Sequence, residues 1–152
     1  TEILSGLNVF VAASTMEEHQ EHTTENDKYH GTAGVTYSLG PVAIGAQVTG
    51  EYTGEQSAAD YNGYKGDAFG ISFNVNDDLS VSYNKWDQRK STYNDEHVPG
   101  GPNDRNIEVT SWQVAYTMGG ASMRLAEVNA NNAGWTAAND TKATVVSLGL
   151  AF

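Results

Sequence analysis

Cysteine is absent from the 152 residues, which excludes a disulfide framework and any thiolate metal site. Basic residues are scarce: Lys and Arg number 8 against 19 Asp and Glu, for a formal net charge of -11. A surface of that sign repels nucleic-acid phosphates, whose binding needs many basic contacts, so no nucleic-acid partner is expected. It gains nothing from anionic lipid headgroups either, which disfavours peripheral docking to a membrane. Long hydrophobic runs are missing too, and without some 18 consecutive apolar residues a transmembrane helix is excluded. The chain starts at Thr1 with no basic-then-apolar leader, the expected mark of a processed chain or a piece of a longer one.

What is present points to β structure. Hydrophobic residues make up 39% and Gly numbers 16, and the length suits a single domain over 1–152. Reading for a period of two gives eight segments, near 3–13, 29–39, 42–53, 64–75, 79–87, 107–118, 121–130 and 142–152. Short turns, at Ser38-Leu39-Gly40-Pro41, Asn76-Asp77-Asp78 and Gly119-Gly120, alternate with polar loops at 14–28, 54–63, 88–106 and 131–141. Long loops at one end and tight turns at the other are the mark of an outer-membrane barrel, which crosses with strands of about 9 to 11 residues.

The two faces of each strand differ in kind. Thr144, Val146, Leu148, Leu150 and Phe152 oppose Ala143, Val145, Ser147, Gly149 and Ala151. Val42, Ile44, Ala46, Val48 and Tyr52 oppose Ala43, Gly45, Gln47, Thr49 and Glu51. Segments four and six repeat this, with Phe69, Ile71 and Phe73 against Ala68, Gly70 and Ser72, and Trp112, Val114 and Tyr116 against Ser111, Gln113 and Ala115. A soluble sheet would turn a charged face to water; here the second face is small and uncharged. The pattern predicts apolar side chains facing lipid and small polar ones facing a wet interior. Tyr37, Tyr52, Tyr83, Tyr116 and Phe152, near segment ends, read as an interfacial aromatic girdle.

The ending Ala-Thr-Val-Val-Ser-Leu-Gly-Leu-Ala-Phe resembles the closing strand of Gram-negative outer-membrane proteins. Ala115-Tyr116-Thr117-Met118-Gly119-Gly120-Ala121, followed by strand, loop and that ending, resembles the last two hairpins of proteobacterial general diffusion porins. Val35-Thr36-Tyr37-Ser38-Leu39-Gly40 and the run from Phe73 to Tyr83 are similar to periplasmic hairpins of that family. The resemblance implies an outer-membrane location, contact with lipid and lipopolysaccharide, a homotrimer, and sixteen strands per barrel, of which this chain would be the carboxyl-terminal half. It also implies a recognition signal for the barrel assembly machinery at Val146, Leu148, Leu150 and Phe152. An eight-stranded barrel would need its interior filled by large side chains, and the inward sets are dominated by Gly, Ala, Ser and Thr, which favours the half-porin reading.

The expected function is passive diffusion of small hydrophilic solutes and ions, selected by lumen size and lining charge. His30, Gln47, Glu51, Asn84, Gln113 and Arg124 are the candidate pore-lining residues. Acidic loops predict cation enrichment at the mouth, with Glu51, Asp67 and Arg124 as candidate wall charges. Glu18, His19, Glu21 and His22, in the densest titratable cluster, could hold a divalent cation weakly. Their spacing matches no defined metal site, a solvated acidic loop is the plainer reading, and no cofactor is expected. Ser91, Asp95 and His97 lie in one loop with no supporting motif, so a hydrolase is not expected. No Gly-Gly pair precedes a helix, which leaves no phosphate loop. The competing readings are a small eight-stranded outer-membrane protein binding surface ligands through acidic loops, and, last, a soluble ligand-binding barrel.

Overall fold

A computed structural model describes residues 4–17, 27–54, 61–92 and 106–150. They form one all-β sheet of eight strands: β1 (Leu7–Met16), β2 (Lys28–Leu39), β3 (Val42–Tyr52), β4 (Tyr61–Asn74), β5 (Leu79–Thr92), β6 (Ile107–Met118), β7 (Ala121–Asn131) and β8 (Thr141–Leu150). Each pairs antiparallel with its neighbours in chain order, an up-and-down meander that is not closed, since β1 and β8 stand at its two edges. Alternation along the chain drives this, because every second side chain falls on the same face. The tight turns are chemically specified. Gly40 and Gly119 take φ of 56° and 58°, backbone that glycine adopts without steric cost. In the β4–β5 turn the Asn76 side-chain oxygen accepts from the Asp78 and Leu79 amides at 2.9 and 2.8 Å, a side-chain mimic of a backbone turn.

The register carries the faces across the whole sheet. Val42 stands opposite Phe73, Phe73 opposite Val81, Val81 opposite Val114, Val114 opposite Leu125 and Leu125 opposite Val146. That row begins at the first residue of β3, enters β5 two residues after Leu79, and enters β7 four residues after Ala121. The turns therefore step by one residue per strand. With strands about 4.8 Å apart and a rise of about 3.3 Å per residue, the step inclines the strands about 35° to the line of turns. Strands in closed barrels tilt by a similar amount.

The small-residue face is concave. One hollow of about 290 Å³ is lined from Phe10 on β1 through Thr36, Gln47 and Ala68 to Asn84 and Trp86 on β5, so five strands curl around a common space. Glycine on this face seats larger side chains. A Cβ added at Gly34 would meet the Phe10 ring at 2.3 Å, one at Gly66 would meet Thr49 Oγ1 at 2.5 Å and Trp86 Nε1 at 3.3 Å, and one at Gly70 would meet Asn84 Oδ1 at 2.7 Å. Gly66→Val is expected to cost about 1–3 kcal/mol by overpacking, read as a lower denaturation midpoint. Gly31→Val, where an added Cβ would meet nothing within 4 Å, should leave the midpoint unchanged.

No dry core exists among the described residues: no hydrophobic side chain is buried. The surface totals 10619 Å², against about 7,500 Å² for a compact monomer of this mass. Ile44, Ile71, Phe73, Val114 and Leu148 stand exposed on the convex face, not gathered in a centre. Exposure rises toward the edges, from 40% at Ile71 and 43% at Val114 to 80% at Val11 on β1 and 68% at Leu148 on β8. The outer strands lack a lateral neighbour.

Strand limits depart from the sequence reading in three places, one of them β4, which begins at Tyr61 where 64 was expected. β1 runs 7–16 where 3–13 was expected, and β5 continues to Thr92 where an end near 87 was expected. Mixed charges at Arg89 and Lys90 look like a loop, yet Lys65 stands opposite Arg89 and Tyr64 opposite Lys90. Pairing with β4 keeps the segment extended.

Candidate functional site

The concave face holds the candidate lining side chains. All six candidate lining residues lie on it: His30 stands opposite Glu51, Gln47 opposite Ala68, Asn84 opposite Gly70 and Ser111, Gln113 opposite Ser82 and Ala126, and Arg124 opposite Ala115 and Ser147. Two pairs lie close, the second joined by a hydrogen bond. His30 Nε2 lies 4.0 Å from Glu51 Oε1, and the Gln47 amide donates to Thr32 Oγ1 at 3.1 Å. The other three are not brought together. A hollow of about 230 Å³ at the long-loop end contains His30, Thr49, Glu51, Tyr64 and Gln88. Its carboxylate, imidazole, amide and hydroxyl groups can exchange hydrogen bonds with water and polar solutes.

Asp67 is not a wall charge of this face. It stands between Val48 and Asp87 in register and so shares the convex face with the apolar band, because only even-numbered β4 residues turn inward. With Lys65, Lys85, Asp87 and Glu108 it forms a charged collar on the long-loop side of that band. Lys65 Nζ pairs with Asp67 at 3.4 Å, Lys85 Nζ with Asp87 at 3.6 Å, and Lys85 also pairs with Glu108. Among the described strand residues, the concave charges are Glu51 and the basic Lys28, Lys90 and Arg124, so the acidic excess of the chain lies elsewhere.

The tyrosines divide similarly. Tyr37, Tyr52, Tyr83 and Tyr116 all occupy the convex face, but Tyr83 sits well inside β5 because that strand runs on to Thr92. It packs on Trp112 with ring centroids 4.6 Å apart, one position short of Lys85 on its own face, at the border between band and collar. Val146, Leu148 and Leu150 are exposed on the convex face of β8, while Phe152 lies outside the described residues. So do Glu18, His19, Glu21 and His22 of the metal candidate, and Asp95 and His97 of the hydrolase triplet. Among the described residues no three His, Asp or Glu side chains gather as a metal site, and no helix is long and apolar enough to cross a membrane.

Sequence reasoning missed one feature of the concave mouth. The loop between β7 and β8 contains a 3-10 turn, Ala133–Trp135, and closes on itself: the Ala133 amide donates to the Asn139 carbonyl at 2.8 Å, and the Asn139 side chain donates to the Ala133 carbonyl at 2.8 Å. The Asn132 amide donates to Asp140 Oδ1 at 3.1 Å, and its side chain reaches the Asn106 carbonyl at 3.1 Å. Asn132, Trp135 and Ala138 have φ of 53°, 56° and 57°. The loop carries Trp135 across β6 to the concave face, where its ring centroid lies 5.8 Å from that of Tyr64 and 4.8 Å from Lys90 Nζ. The run Asn-Asn-Ala-Gly-Trp hinted at a compact turn, but nothing in it named Tyr64 and Lys90 as the seat.

The fold and face together define an open, tilted antiparallel meander with a polar concave wall and an apolar convex one. No family model matches the chain, and neither the curated proteins nor the solved structures contain a match to it.

Proposed function

We propose that this chain forms part of the wall of an outer-membrane diffusion channel in a Gram-negative bacterium, half of a sixteen-stranded porin-type barrel that passes small hydrophilic solutes and ions. The observation that carries the reading is the placement of bulky apolar side chains on an exposed convex face, with mostly small and polar ones on the concave face and no buried hydrophobic core among the described residues. In water such a sheet leaves its hydrophobic area unsatisfied, whereas in a bilayer that area meets hydrocarbon. On β5 the band from Leu79 to Lys85 spans about 20 Å along the strand, and on β3 it is longer, from Val42 to Tyr52. The charged collar would then lie at the headgroup level.

The edges favour a wall completed by further strands. A stagger of one residue per strand, carried around sixteen strands, gives a cylinder of backbone radius about 15 Å, against about 8 Å for eight. Only the larger leaves a wide aqueous lumen behind side chains this small. Transport in such a pore is passive, and no nucleophile or cofactor is involved. A homotrimer, contact with lipopolysaccharide, and an assembly signal in Val146, Leu148, Leu150 and Phe152 belong to the same proposal.

The test is reconstitution of the detergent-purified protein, carrying the further strands that complete the wall, into a planar bilayer. Stable, discrete conductance steps that scale with salt concentration are expected. Insertion without conductance would turn the reading to a small barrel that binds ligands through its loops; a fold that persists in water without detergent would end it.

A further inference from the structure

We infer that the β7–β8 loop is a strap across the long-loop end of the channel, and that Trp135 is its size-determining residue. The inference rests on the channel reading and adds to it an element whose removal enlarges the mouth. Three observations converge on it. First, Tyr64 and Lys90 are directly opposed on β4 and β5 and both belong to the concave face, so Trp135 is seated on the inner wall and not on the rim. Second, its ring is held over two partners, the Tyr64 ring at 5.8 Å and the Lys90 ammonium at 4.8 Å. These are aromatic and cation–π contacts within their usual range. Third, the indole Nε1 is shielded and has no hydrogen-bond partner. The ring is therefore fixed through its faces, and a phenyl ring can replace it.

The loop is built to hold that position. Trp135 and Ala138 adopt left-handed backbone that side chains other than Gly and Asn seldom take. Such a conformation persists where surrounding bonds over-determine it; here they are the Ala133–Asn139 pair of hydrogen bonds and the Asn132 tie to Asp140 at the neck. The further tie from Asn132 to the Asn106 carbonyl, just ahead of β6, anchors the strap over the end of that strand. The pairing of β6 begins with Ile107 opposite Gln88, short of Lys90 on β5, and Trp135 reaches Lys90 beyond that end of the strand.

Single-channel conductance in planar bilayers, combined with exclusion of polyethylene glycols of graded size, tests the inference. Trp135→Ala is expected to raise conductance roughly 1.5-fold and to admit larger polymers, because a pore's conductance follows its narrowest section. Trp135→Phe should keep the parental values. Tyr64→Ala, which removes the seat but leaves the loop's own hydrogen bonds, should reproduce the enlargement and carries the test if Trp135→Ala fails to assemble. Parental conductance and exclusion size in both alanine variants would overturn the strap while leaving the channel standing. Absence of conductance steps in the parent protein would overturn the channel, and the strap with it.

Discussion

With the convex face in lipid, as proposed, Ile71→Lys is expected to collapse the folded population, while Ser72→Lys, one residue along the same strand, leaves it nearly intact. Ile71 sits on the convex face between Ile44 and Tyr83; Ser72 sits on the concave face between Ala43 and Ser82. A lysine on the lipid face costs about 2–4 kcal/mol near the bilayer midplane. At about 1.4 kcal/mol per tenfold change, that lowers the folded-to-unfolded ratio by roughly 30- to 1,000-fold. On the concave side the ammonium keeps its water. Urea unfolding in lipid vesicles measures the difference as a shift in midpoint. Equal tolerance of both substitutions, or better solubility for Ile71→Lys with the fold preserved, would mean that the convex face does not meet lipid.

The second large effect concerns ion preference. Acidic loops should enrich cations at the mouth, but the concave wall of the described strands opposes them, with Lys28, Lys90 and Arg124 against Glu51. Arg124 is the clearest opposing charge, exposed and flanked in register by Ala115 and Ser147. Arg124→Glu reverses a unit charge on the wall, and the potassium-to-chloride permeability ratio should rise roughly two- to threefold at 0.1 M salt, where the screening length is about 10 Å. At 1 M, with screening near 3 Å, the ratio should return toward the parental value. Reversal potentials in KCl gradients at the two strengths make the measurement. A salt-independent shift, or none, would place Arg124 away from the conduction path.

Faces were legible in the sequence because a period of two is a local property: once Val42, Ile44 and Val48 share a side, strand geometry forces Gln47 and Thr49 to the other. The same logic put all six lining candidates on the concave face. Asp67 broke the rule only in the assignment, since its parity matches Phe69 and Ile71 and its charge alone suggested the lumen. The extension of β5 to Thr92 was hidden because cross-strand pairing, not the composition of Gln88-Arg89-Lys90, keeps that segment straight. The Trp135 seat was not legible either. It depends on which residues meet across a large separation, Trp135 with Tyr64 and Lys90, and chain order does not encode that.

The glycine seats have a kinetic meaning for the channel proposed. Phe10, Trp86 and Asn84 rest against Gly34, Gly66 and Gly70, so these three inner groups lie close along the wall and project little from it. A molecule travelling past these glycine-seated groups meets few projections and dwells beside them only briefly. Flux through the channel then grows in proportion to the concentration difference instead of levelling off at a ceiling.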